Sequence, residues 1–206
     1  WTWLDEGINT FLQYLAEQEW EADYPSKRGE PNGITEYMTS DTQEPIMTNS
    51  ETIINLGSNA YHKTAVGLNI LRETILGRDL FDFAFKEYSR RWKFKRPTPS
   101  DFFRTMEDAT GVDLDWFFRG WFYTNDHTDI SIENVKLYQL DTRNPDIEKP
   151  VQKSRKAEEP VTLSHQRNKS LPHRADRYPE LLDFYNKYDE FAVTAKDRAD
   201  YEKLLK

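Results

Sequence analysis

Apolar residues recur at three- and four-residue intervals along several stretches of the chain, and this spacing predicts α-helices. The first stretch covers residues 4–20, and the next two cover 60–76 and 79–92, with Gly77 as a stop signal between them. The apolar positions of the first stretch are Leu4, Ile8, Phe11, Leu12 and Leu15. Each of these stretches therefore has one face suited to a buried core.

A strong helix start follows at residues 98–101. Thr98 is expected to cap the helix, Pro99 suits the first helical position, and Asp101 completes a capping-box-like pair. This helix is expected to end near Gly111, and Asp113 is expected to cap a last short helix that is mostly apolar. The aromatic series between residues 81 and 122 has helical spacing, which favours core packing. We expect these helices to pack as one lobe.

The rest of the chain is more polar. Residues 23–49 are expected to be mostly loop, with one short helical piece at 34–38. Short strands are predicted from Ile130, Ile132, Val135, Leu137 and Leu140. A charged, proline-punctuated linker is predicted for 141–160, followed by two amphipathic helices at 179–188 and 196–205. The sequence thus predicts a helical lobe at 1–124 and, at 125–206, short strands, a linker and the start of a following domain.

Composition narrows the function classes. Of the 206 residues, 37% are hydrophobic and 14% aromatic, enough for a packed core. The net charge of −8 argues against a nucleic-acid surface, which requires a basic face. The absence of cysteine excludes disulfides, thiolate metal sites and a cysteine nucleophile. No apolar run approaches the roughly 18 residues that a membrane-spanning helix needs.

Two residues are candidates for chemistry, although each has an ordinary structural interpretation. Glu6 lies in the first turn of a helix, where the helix dipole favours a carboxylate. Tyr61 lies at the start of the second long helix, where a packed aromatic residue is common. The chain has four histidines: His62, His127, His165 and His173. They lack the spacing of paired metal ligands and are expected at the surface. Only His62, beside Tyr61, is expected near a cleft.

Three blocks, in order, resemble one family. Trp-Leu-Asp-Glu-Gly-Ile-Asn-Thr-Phe, from Trp3 onward, resembles the Trp-Leu-x-Glu-Gly-Phe-Ala-x-Tyr segment of the aminopeptidase N family of zinc peptidases. Tyr61-His62-Lys63, with Leu-Gly at 76–77, resembles that family's Tyr-x-Lys-Gly helix. Residues 102–114, closing at Phe118 and Trp121, are similar to its segment after the active site. The resemblance covers residues 1 to about 124 and implies the helical lobe of a thermolysin-like (gluzincin) catalytic domain.

The resemblance implies zinc as cofactor and a peptide as substrate. Glu6 falls on the third zinc ligand, and Tyr61 on the tyrosine that stabilises the oxyanion. The H-E-x-x-H histidines and the general-base glutamate belong to an upstream part of the same catalytic domain, which this sequence does not contain. Thr64 departs from the family's glycine, and Gln13 from an acidic residue near the metal. Thr10, one turn after Glu6, is a further candidate support of the site.

The predicted function is therefore part of a zinc-dependent aminopeptidase that hydrolyses peptide bonds with zinc-activated water. The isolated chain is expected to be inactive and to bind zinc poorly. One alternative is a non-catalytic helical scaffold or interaction module derived from such a peptidase. Another is a carbohydrate-binding module with exposed aromatics. The compartment stays open, with the bacterial periplasm or cell envelope suggested by the resemblance.

Overall fold

A computed structural model describes residues 1–21, 24, 26, 28–126, 140–182 and 189–205. The described residues form helices and connecting segments, without a strand among them. The chain divides into two compact units. The first comprises Trp1–Thr128 with Leu163–Arg174, and the second comprises Asp129–Thr162 with Ala175–Lys206. The mainly helical class predicted from the sequence is confirmed for the described residues.

Helix α1 opens with a π-helical turn and continues as a regular α-helix, whereas α3 has π-helical turns at both ends. The helices are, in chain order, α1 (Trp3–Gly7, Ile8–Trp20), a 3₁₀ turn (Pro31–Ile34), α2 (Thr35–Met38), α3 (Gly57–Lys63, Thr64–Ile70, Leu71–Ile75), α4 (Arg78–Trp92), α5 (Pro99–Thr110), α6 (Asp115–Tyr123), α7 (Pro145–Glu158), α8 (Leu163–Asn168), α9 (Arg174–Arg177), a 3₁₀ turn (Pro179–Leu181) and α10 (Ala195–Leu204). The helices predicted at 4–20, 60–76, 79–92 and 196–205 are thus present within a few residues of their predicted ends.

Local signals set the bounds of α5 as predicted. The backbone N–H of Thr98 donates to Asp101 Oδ2 at 2.8 Å, and the Thr98 hydroxyl accepts from the Asp101 N–H. Gly111 ends the helix with φ 66°, a left-handed conformation that glycine adopts at little cost. Asp113 Oδ1 accepts the N–H of Asp115, the first residue of α6, at 3.0 Å.

The predicted aromatic core is present in the first unit. The Trp3 ring stacks on Phe103 with centroids 5.7 Å apart and meets the edge of Phe122 at 4.8 Å. Trp3 is 1% exposed, and its indole N–H donates to Met47 Sδ at 3.2 Å. Burying one such side chain stabilises the fold by about 1.5–3 kcal/mol. The first turn of α1, which carries Glu6, is therefore fixed by a buried tryptophan.

The predicted linker at 141–160 is wrong for most of its length, because α7 occupies Pro145–Glu158. The Asn144 side chain accepts the N–H of Asp146 and caps this helix. Asp146 also pairs with Arg198 of α10 at 2.6 Å. The charges that suggested a solvated linker therefore include pairs between two helices of the second unit.

Two predictions lie partly outside the described residues. The predicted strands fall at 130–137, which are not described, and Leu140 belongs to no regular element. The helix predicted at 179–188 is represented by the short 3₁₀ turn Pro179–Leu181, and 183–188 are not described. Within the described part of the chain, no helix is long and apolar enough to cross a lipid bilayer.

Candidate active site

Helices α1 and α3 approach closely at Gly7. A Cβ atom at this position would lie 2.4 Å from Thr64 Cγ2 and 2.6 Å from the Ala60 carbonyl oxygen, distances that non-bonded atoms do not sustain. Glycine therefore permits the contact between the two helices. Glu6 precedes Gly7 in the chain, and Tyr61 follows Ala60. The close approach consequently brings Glu6 to Tyr61.

The Tyr61 phenol lies close enough to the Glu6 carboxylate for the carboxylate to raise the pKa of Tyr61 above its ordinary value, mainly through hydrogen bonding, and partial desolvation adds to the rise. The Arg28 guanidinium lies 5.2 Å from the centre of the Tyr61 ring and opposes the rise in pKa. The phenol therefore stays protonated at neutral pH and is able to donate a hydrogen bond.

The Glu6 carboxylate is half-buried, and no lysine or arginine in the described part of the chain forms an ion pair with it. The two proposed supporting residues bond elsewhere. The Thr10 hydroxyl donates to the Glu6 backbone carbonyl at 2.7 Å, and the Gln13 amide donates to Glu17 at 2.7 Å on the exposed face of α1. The structure thus brings Glu6 and Tyr61 together, but neither the Thr10 nor the Gln13 bond supports the Glu6 side chain.

The neighbours of Tyr61 have different environments. His62 is half-buried, and burial together with Arg28 lowers its pKa, which favours the neutral imidazole at pH 7. Lys63 is 1% exposed, and burial lowers its pKa to about 8. The Gln43 side-chain amide is oriented so that its nitrogen donates to the Met38 carbonyl oxygen at 2.7 Å. In this orientation Gln43 Oε1 accepts a hydrogen bond from Lys63 Nζ at 3.1 Å. Lys63 therefore lies inside the core rather than at the candidate site.

Two contributors to this arrangement have no clear signal in the sequence. Arg28 lies in a polar segment that gives no sign of contact with Tyr61. Gly7 belongs to the first motif, but its close contact with Ala60 and Thr64 is visible only once the helices pack. Both contributions depend on tertiary contacts, which periodicity alone does not reveal.

His173 corrects the expectation that all four histidines lie at the surface. It is 5% exposed, because its segment, Leu163–Arg174, packs within the first unit. There the Asn69 amide donates to the Ser164 hydroxyl at 3.2 Å. His62 and His165 are half-buried, and His127 lies outside the described residues.

The described residues alone do not form a zinc site around Glu6, because zinc sites use three or four protein ligands. The group of three possible ligands found among these residues lies elsewhere: Glu107, Asp113 and Asp115, with ligand atoms within 4.8 Å of one another. Glu107 accepts the N–H of Leu114 at 2.9 Å, and Asp113 Oδ1 accepts the N–H of Asp115 at 3.0 Å, although Leu114, not the predicted Asp113, is the N-cap residue of α6. These backbone bonds account for the acidic cluster, which is not specific to zinc.

Comparisons of the chain with models of known protein families, with curated protein sequences and with solved structures found no match. The resemblance to the aminopeptidase N family therefore depends on the motif residues alone and stays a prediction.

Proposed function

We propose that this chain is the helical lobe of a zinc-dependent aminopeptidase catalytic domain. In this proposal Glu6 supplies one metal ligand, and Tyr61 donates a hydrogen bond to the oxyanion formed from the peptide carbonyl. The observation that carries the proposal is the close approach of α1 and α3 at Gly7, which brings Tyr61 near Glu6, two residues far apart in sequence that match successive motifs of one family.

The properties of the two side chains suit these roles. Glu6 offers carboxylate oxygens, a ligand type that zinc accepts, and the described residues place no competing cation on it. Bound zinc would polarise the carbonyl and lower the pKa of a water ligand. Tyr61 is half-buried and protonated at neutral pH, so its hydroxyl has a proton to donate to a negatively charged oxygen. The remaining ligands and the general base would come from outside these residues.

The test uses the full-length protein that carries this lobe. Tyr61→Phe is expected to lower kcat by about 10²–10³-fold, the usual effect of losing an oxyanion donor, at unchanged zinc content. Glu6→Gln is expected to lower zinc content as well as activity. Tyr123→Phe, which removes a phenol from an exposed position on α6, serves as the matched control.

Full activity in Tyr61→Phe would show that this tyrosine has only a packing role. Zinc content and activity that are both normal in Glu6→Gln would contradict the ligand assignment. Peptidase activity of the isolated chain would contradict the proposal that the missing ligands are essential.

A further inference from the structure

The first unit contains a cavity of about 310 Å³ that is separate from the Glu6–Tyr61 pair. Its walls come from α1, the end of α3, the start of α4 and the Leu163–Arg174 segment, and include Tyr14, Gln18, Arg72, Arg78, Asn168 and His173. The volume is at the lower end of the range of about 300–1,000 Å³ for small-molecule sites. It therefore suits a small ligand.

His173 supplies an unsatisfied polar group in this cavity. Its side chain is more than nine-tenths buried, yet neither Nδ1 nor Nε2 has a hydrogen-bond partner among the described residues. Leaving a buried polar atom unpaired is costly, so such groups are rare in folded proteins. Both nitrogens are covered by neighbouring atoms, so a ligand bonds to the imidazole, and offsets this cost, when the ring turns towards the cavity.

The cavity lining is also rich in hydrogen-bond donors. The buried Glu73 carboxylate pairs with Arg72 at 3.1 Å, with Arg78 at 2.7 Å and with Arg167. Arg72 also forms a two-point ion pair with Asp82, at 2.7 and 2.9 Å. Both oxygens of Glu73 are therefore occupied, and the carboxylate has little remaining capacity to accept hydrogen bonds from a ligand.

Donors remain in this lining after those bonds are made. Each guanidinium has five N–H donors in a planar fork. Arg78 donates through Nε to Glu73 and through Nη2 towards the Ser164 carbonyl oxygen, but its Nη1 forms no hydrogen bond with the described residues. The cavity thus combines surplus N–H groups with an unpaired imidazole, and a ligand rich in acceptors would bond to the Nη1 group of Arg78 and to the N–H of the imidazole.

We propose that this cavity binds a small organic molecule through an oxyanion group, a carboxylate or a phosphate, held by His173 and by the remaining Nη1 group of Arg78. A hydrogen bond from a charged guanidinium to an oxyanion is short and strong. Glu19, which is exposed and also lines the cavity, disfavours ligands with several negative charges. The expected ligand is consequently small and carries one oxyanion group.

The test follows the His173 ring resonances by NMR while acetate or inorganic phosphate is added at constant ionic strength, with chloride as the reference salt. Saturable changes at His173 with acetate, phosphate or both are expected, and the stronger binder identifies the oxyanion class. His173→Phe and Arg78→Lys are each expected to weaken binding about tenfold or more, because each removes a hydrogen bond to a charged group. His62→Phe is the matched control and should leave binding unchanged.

Three results would overturn the proposal: no saturable change at His173 with either anion, equal weakening by His62→Phe, or full binding in Arg78→Lys. An adventitious ion that collects at the protein surface would give changes that do not saturate and do not depend on His173. If His173→Phe fails to fold, the wild-type titration and Arg78→Lys decide the question.

Discussion

The buried Lys63 allows the free-energy cost of burying a charge in this fold to be measured without any assay of activity. Its ammonium group is buried at 1% exposure, with the Gln43 amide oxygen as its partner and no carboxylate in contact among the described residues. Burial lowers its pKa from 10.5 to about 8. Since a tenfold change in an equilibrium constant corresponds to about 1.4 kcal/mol, folding with a charged Lys63 costs about 3 kcal/mol.

The sign of the pH dependence follows from this lowered pKa. Below pH 8 the amine is protonated in both the folded and the unfolded protein, and the full cost is present. Between pH 8 and 10.5 the unfolded protein binds more protons at this site than the folded protein, so stability rises with pH. From pH 7 to 9.5 the contribution of Lys63 to the free energy of unfolding should increase by about 2 kcal/mol.

Lys63→Met removes the charge and keeps a flexible chain of similar length. The loss of the bond to Gln43 costs about 1 kcal/mol, so the variant should be more stable than the wild type by about 1–2 kcal/mol at pH 7. Its stability should also lack the rise between pH 7 and 9.5. Urea unfolding followed by tryptophan fluorescence measures this, because all six tryptophans lie in the first unit.

The reasoning is refuted if the wild-type stability is flat or falls between pH 7 and 9.5. It is also refuted if Lys63→Met is less stable than the wild type at pH 7. Lys93→Met, at an exposed position just after α4, is the matched control and should change neither the stability at pH 7 nor its pH dependence.

Two further predictions concern the contact between α1 and α3 and the capping of α5. Gly7→Ala places a methyl group against Thr64 and should destabilise the first unit by about 1–3 kcal/mol in urea unfolding, whereas Gly57→Ala, at a position with open space around it, should be neutral or slightly stabilising. Equal effects of the two would contradict the tight crossing of α1 and α3. Thr98→Ala removes one half of a capping box and should cost about 1 kcal/mol, and an unchanged unfolding midpoint would show that Asp101 alone suffices.

The parts of the fold that the sequence predicted are those fixed by neighbouring residues. The bounds of α5 follow from Thr98 at its start and Gly111 at its end, and both act within one turn of the helix. The linker prediction was wrong because Pro150 and a run of charges favour a loop when considered alone. Asn144 gives α7 a cap, and Arg198 lies far along the chain, so its pairing with Asp146 was not visible in the local pattern.

The candidate site was predictable only in part, for the same reason. Family resemblance pointed to Glu6 and Tyr61, but the contact between them depends on Gly7 and on the closeness of two helices. The burial of Lys63 and His173 had no local signal, because polar residues are usually exposed and each is buried by a distant segment. Long-range packing therefore decides which polar residues form sites.

The central claim is that Glu6 and Tyr61 meet at one site, and titration of the Tyr61 phenol, observed by NMR with ¹³C-labelled tyrosine, tests it most directly. The wild-type pKa should lie above the ordinary value of about 10. It should fall towards that value in Glu6→Gln, and much less in Asp5→Asn, since Asp5 is only a minor cause of the rise. An unchanged Tyr61 pKa in Glu6→Gln, or an equal fall in both variants, would contradict the claim.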